Sequence, residues 1–105
     1  MEKIIFENDV LKYFDDLVFA LFDDEYFSYV ESAQIYADKI VDFVISSISN
    51  FPHKKTPLAL DYLGSNYIFY KPNSRTTWYI FFERRKQNYL ITGVINNYSK
   101  EAKEL

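Results

Sequence analysis

The sequence predicts a single α+β domain over residues 1–105, with element order β-α-α-β-β-β and a helical hairpin packed on one face of an antiparallel sheet. Three observations carry this expectation. A short β-favouring run opens the chain, two stretches with three- and four-residue apolar spacing follow, and beyond Pro57 the spacing changes to alternation.

Lys3 to Phe6 read as a short first strand, since Ile4, Ile5 and Phe6 are β-favouring and the run stops at the polar Glu7-Asn8-Asp9. Asn8 or Asp9 then reads as a helix N-cap. Val10, Leu11, Phe14, Leu17, Val18, Leu21 and Phe22 recur at helical spacing, while Lys12, Asp15, Asp16, Asp23 and Asp24 fall mostly outside that stripe, so the first helix ends near Asp23. Ser28 followed by Glu31 has capping-box spacing and marks the start of a second helix. Val30, Ala33, Ala37, Ile40, Val41, Val44 and Ile48 form its apolar stripe, and Asn50-Phe51-Pro52 ends it, because proline disfavours helix for the residue before it. The short acidic connection 23–27 between the helices predicts an antiparallel pair. Residues 66–71, 76–84 and 89–96 are rich in Tyr, Phe, Ile, Thr and Val, and turn residues separate them, so they read as a three-stranded meander.

Composition excludes several function classes. The chain is 49% hydrophobic and 20% aromatic with two glycines, which offsets ordering entropy and argues against disorder. Gly64 and Gly93 lie far apart in sequence, so neither a P-loop nor a dinucleotide fingerprint is present, and no cofactor is expected. Without cysteine there is no disulfide, thiolate metal site or thiol nucleophile, and His53 is the only histidine, so no metal site is expected. The longest apolar run, residues 17–22, is far short of a membrane span, and no secretion signal opens the chain; a cytoplasmic protein without membrane contact is the expectation.

The net charge of -3 conceals a division. Residues 1–50 hold 3 bases and 11 acids, a balance of -8, and residues 51–105 hold 9 bases and 4 acids, a balance of +5. The total argues against non-specific nucleic-acid binding by the whole chain, but leaves room for a local basic site centred on Lys54, Arg75 and Arg84. In 76–84, alternation puts Trp78, Ile80, Phe82 and Arg84 on one face and Thr77, Tyr79, Phe81 and Glu83 on the other. Both faces are aromatic and the helices can cover only one. The second face is therefore expected to be exposed or buried against a partner, and rings interleaved with bases suit either RNA or a protein interface.

Element order and the wording Phe69-Tyr70-Lys71-Pro72-Asn73, Arg75-Thr76-Thr77-Trp78-Tyr79-Ile80-Phe81-Phe82, Tyr89-Leu90-Ile91 and Asn96-Asn97 resemble the RelE/ParE superfamily of toxin–antitoxin toxins. The resemblance implies a small bacterial toxin, of the plasmid-stabilisation kind, held in check by a cognate antitoxin protein. It implies either a ribosome-dependent mRNA interferase or a DNA gyrase inhibitor without that chemistry. On this sequence the family's loop bases match Lys54 and Lys55, its sheet bases match Arg75 and Arg84, and its C-terminal position matches Tyr98 by location.

Metal-independent RNA cleavage needs a group to activate the ribose 2′-hydroxyl, positive charge facing the transition state and an acid for the leaving oxygen. Arg75 and Arg84 would supply charge, while Tyr98 or Lys54 would move protons. Lys55, Lys71, Arg85, Lys86, Trp78 and Tyr79 are candidates for RNA or partner binding. The plainer alternatives are a solvated hairpin tip for 84–86, a salt bridge from Arg75 to Glu83 or a helix acid, packing for Tyr98, an exposed loop for His53, and hydrated helix faces for Asp15-Asp16 and Asp23-Asp24-Glu25. A non-catalytic interaction protein and a homodimer joined through the aromatic face are the competing functional expectations.

Overall fold

The computed structural model describes residues 3–23 and 30–105. The elements are β1 (Ile4–Phe6), α1 (Asn8–Asp23), α2 (Val30–Ser47), β2 (Lys54–Lys55), a 3-10 helix (Leu58–Leu63), β3 (Asn66–Tyr70), β4 (Trp78–Arg85), β5 (Asn88–Asn96) and a second 3-10 helix (Lys100–Glu104). The α+β class, both helices and the meander are as the sequence predicts. Ser28, and with it the expected capping box and acidic connection, lies outside the described residues.

The helices pair antiparallel: Val18, late in α1, packs with Ala33 and Ala37, early in α2, while Leu11 and Val41 border the same depression. Their inner faces cover one side of the sheet. Val10, Phe14, Ile40, Val44 and Ile48 meet Ile68, Trp78, Ile80, Phe82, Tyr89 and Ile91 in one continuous core. Each such aliphatic or aromatic side chain contributes about 1.5–3 kcal/mol on full burial.

Three features of the sheet depart from expectation. It has five strands in the order β1-β5-β4-β3-β2, because Lys54 and Lys55, expected in a loop, pair antiparallel with Tyr67 and Asn66. It is mixed rather than antiparallel, since β1 lies parallel to β5 with Ile4 opposite Tyr89 and Phe6 opposite Ile91. The helical pair carries the chain over the sheet from β1 at one edge to β2 at the other, so that β1 is left free to pair with the last strand, a geometry that strand propensity does not encode.

The third departure concerns the second sheet face. It is not left to a partner: the two 3-10 helices fold over it, and Leu60, Tyr67, Phe81 and Ile95 form a smaller core with Leu63, Ala102 and Leu105. A bulge makes this possible. Phe81 pairs with Gly93 and Phe82 with Ile91, so Thr92 is the extra residue on β5, and alternation resets to put Ile91 and Val94 on the helix side and Ile95 on the other. The Thr92 hydroxyl donates to the Leu63 carbonyl at 2.6 Å. Both glycines serve this seam. A Cβ on Gly93 would stand 3.0 Å from the Leu63 carbonyl oxygen. Gly64 has φ +150°, and a Cβ there would stand 2.5 Å from Thr92 Oγ1 and 2.9 Å from the Phe82 nitrogen, so only glycine fits.

Candidate functional site

The smaller cover leaves part of the second face open. Residues 67, 69 and 71 share that face with 77 and 79, as period-two alternation requires, and β3–β4 register sets Phe69 opposite Tyr79. Tyr67, Phe69 and Tyr79 line a groove of about 230 Å³, with Lys54 and Lys71 among its walls, Thr77 beside them and Leu105 at its border. Lys54 Nζ lies 5.7 Å from the centroid of the Phe69 ring, within cation–π range. The Tyr67 and Tyr79 rings meet edge-on at 6.0 Å. Burial, and then the neighbouring Tyr79, raise the Tyr67 pKa above its ordinary value, so its hydroxyl stays protonated through the neutral range. Rings for stacking and flexible ammonium groups for phosphates are the components of single-strand binding surfaces.

Arg75 and Tyr98 border a separate depression with Asn73, Ser74 and Thr76, the last of which precedes Thr77 of the groove in sequence. This corner is held by side-chain amides. Asn73 Oδ1 accepts the Arg75 and Thr76 amides at 2.9 and 3.0 Å, fixing the turn between β3 and β4. Asn97 accepts the Thr77 amide at 2.8 Å and donates to the Arg75 carbonyl at 3.1 Å, clamping the β3–β4 connection to the end of β5. The Tyr98 hydroxyl donates to the same carbonyl at 2.9 Å while its ring is 69% exposed. Its proton is engaged with backbone, so exchange with a ribose hydroxyl would require that bond to open.

Arg84, Arg85 and Lys86 form a separate basic group at the other end of β4. The eight residues of β4 place roughly 23 Å between its ends. The Arg84 guanidinium lies 4.9 Å over the Tyr89 ring, on the helix side of the sheet, and its Nε donates to the Lys86 carbonyl at 3.4 Å. Arg85 and Lys86 are exposed at the two-residue hairpin turn, as the hairpin-tip reading expected. Lys55 is exposed on β2, where alternation points it to the face opposite Lys54. The structure thus joins Lys54, Lys71 and Tyr79, sets Arg75 and Tyr98 around a separate depression, and keeps Arg84, Arg85 and Lys86 apart.

Trp78 is the candidate that the structure removes from any interface. It is 2% exposed in the main core, and its indole N–H donates to the Tyr36 hydroxyl at 3.0 Å. The expected Arg75–Glu83 pairing is also absent from the geometry: Glu83 lies on the far half of β4 and accepts the Ser65 amide at 3.0 Å. His53, though exposed, is more than a loop residue. Its Nε2–H donates to the Ile48 carbonyl near the end of α2, and its ring meets Phe82 edge-on at 4.8 Å.

Tyr67, Phe69, Asn73 and Asn97 belong to this surface and are not among the candidates that the sequence singles out. Extending the alternation of β4 to 67, 69 and 71 would have found the two rings and grouped them with Lys71. Nothing local marks Asn97, whose partners are 20 and 22 residues away. Among the described residues there is no cluster of three His, Cys, Asp or Glu able to hold a metal ion, and no helix is long and apolar enough to cross a membrane. No protein-family model matches the chain, and neither a curated protein nor a solved structure matches it.

Proposed function

We propose that the chain is a toxin-like component of a type II toxin–antitoxin system, of the RelE/ParE kind, whose sheet groove contacts a single strand of RNA. The observation that carries this reading is the placing of Lys54 and Lys71 around Tyr67, Phe69 and Tyr79 on one sheet face. Rings accept bases of any sequence and lysines hold phosphates, so such a groove suits a strand positioned by another machine, as mRNA is on the ribosome. In the cleaving form Arg75 supplies charge beside the groove, and Arg84 takes no part.

A second reading is favoured by a separate observation. Tyr98 is tied to the Arg75 carbonyl and the bases are divided between the ends of β4, which supports a non-catalytic member that acts by protein contact alone, on gyrase or on an antitoxin-like partner. Inducible expression in bacteria, read as growth and mRNA integrity, separates the two. The first reading expects growth arrest with cut transcripts, relieved by Lys54→Ala with Lys71→Ala and by Arg75→Ala. Arrest with intact transcripts supports the second, and undisturbed growth contradicts both.

A further inference from the structure

The sheet groove and the hairpin tip are basic; the outer side of the helical pair is its chemical opposite. Where α1 and α2 meet away from the sheet, a depression of about 330 Å³ is floored by Leu11, Phe14, Ala37 and Val41, with Asp15 on one helix and Asp38 on the other. Ala37 creates the depth: a small side chain at a helix–helix seam leaves space that a leucine would fill. Gln34 Nε2 donates to Asp38 Oδ1 at 2.9 Å, which holds that carboxylate at the rim. Leu11 is 48% exposed, and Ile45, one turn beyond Val41 on the same stripe of α2, is 53% exposed. A surface helix normally turns such residues inward, so Leu11 in the depression and Ile45 beyond it are exposed apolar surface along the seam that Asp15 and Asp38 border.

We infer that this acid-rimmed seam is a docking groove for a basic amphipathic helix of another protein. The match is chemical on both counts. An apolar side chain enters over Ala37 while Lys or Arg on the flanks of the incoming helix meet Asp15 and Asp38, the helix-in-groove mode with charge complementarity. Acidic rims disfavour an anionic membrane as the occupant. The groove lies on the helices, on the opposite side of the sheet from the lysine-lined groove, so this inference stands independently of the proposed function.

The test uses the purified full chain and a fluorescein-labelled Leu/Lys peptide of about 16 residues patterned as an amphipathic helix, read by anisotropy. Asp15→Lys with Asp38→Lys should weaken binding about tenfold or more, and so should Leu11→Glu alone. Asp61→Lys with Glu104→Lys makes the same change in net charge elsewhere and should leave affinity within about twofold. A Lys-matched peptide with its leucines scrambled off one face should bind at least tenfold more weakly. Equal losses in both double variants, or equal binding of the scrambled peptide, would reduce the effect to general charge attraction and overturn the proposal. Sedimentation showing that the chain pairs with itself, abolished by Leu11→Glu, would give the seam to a second copy and overturn it as well. Circular dichroism melts establish that each variant is folded; all the substituted positions are exposed.

Discussion

The two faces of the sheet carry similar aromatic residues but are covered in different ways. On one, two long helices bury Phe82, Ile80, Ile91 and Ile68 completely. On the other, two 3-10 helices of six and five residues bury Phe81 and Leu60 but leave Tyr79 and Phe69 only half-buried. A cover of that length cannot span the sheet, and the uncovered remainder is the lysine-lined groove. Stability is therefore concentrated on the helix side, and the open groove of the sheet lies on the other.

The largest effect should come from the helix side. Phe82→Ala is expected to cost about 4 kcal/mol in chemical denaturation, against about 2 for Leu60→Ala, whose short helix can settle into the space. Equal losses would break the distinction between a main and a minor core. Gly64→Ala should cost about 3 kcal/mol, although it removes nothing, because a Cβ meets Thr92 Oγ1 and the Phe82 backbone at a positive φ. A neutral result would mean that the 3-10 cover is not pinned there.

Smaller effects sharpen the same contrast. Lys86 holds φ +59° at the hairpin turn, so Lys86→Gly should raise stability by about 1 kcal/mol without changing the groove. Each face also has a tyrosine whose pKa is raised by burial first, Tyr13 with Tyr36 beside it and Tyr67 with Tyr79 beside it. A raised tyrosine pKa means that the folded state holds its proton more tightly than the unfolded chain. Stability is then unaffected below the unfolded value of about 10 and falls as pH rises above it. Tyr13→Phe and Tyr67→Phe should each flatten that alkaline decline, Tyr13→Phe the more; an unchanged decline would contradict the burial of the hydroxyls.

Periodicity made the helices and the meander legible, because their apolar residues repeat at 3.6 or 2. The 3-10 helices were not legible: residues 58–63 and 100–104 are too short to show a period, and their role depends on a bulge at Thr92 that resets the face of β5. The parallel pairing of β1 was hidden for a similar reason, since Ile4 and Tyr89 are 85 positions apart. Of the site, Lys54, Lys71 and Tyr79 were named from residue type and resemblance, but their grouping came from strand register. Trp78 was misjudged because alternation states that two residues share a face and not which face is covered.

The most direct measurement is the binding of a labelled single-stranded RNA of about 12 nucleotides to the purified chain, by fluorescence anisotropy across salt concentration. Lys54→Ala with Lys71→Ala should weaken binding on the order of tenfold and lower the salt slope by about 1.4, the release expected for two phosphate contacts on a single strand. Arg84→Ala with Arg85→Ala, at the other end of β4, should leave both quantities nearly unchanged. Equal losses from the two pairs, or binding that does not respond to salt, would contradict the assignment of the groove.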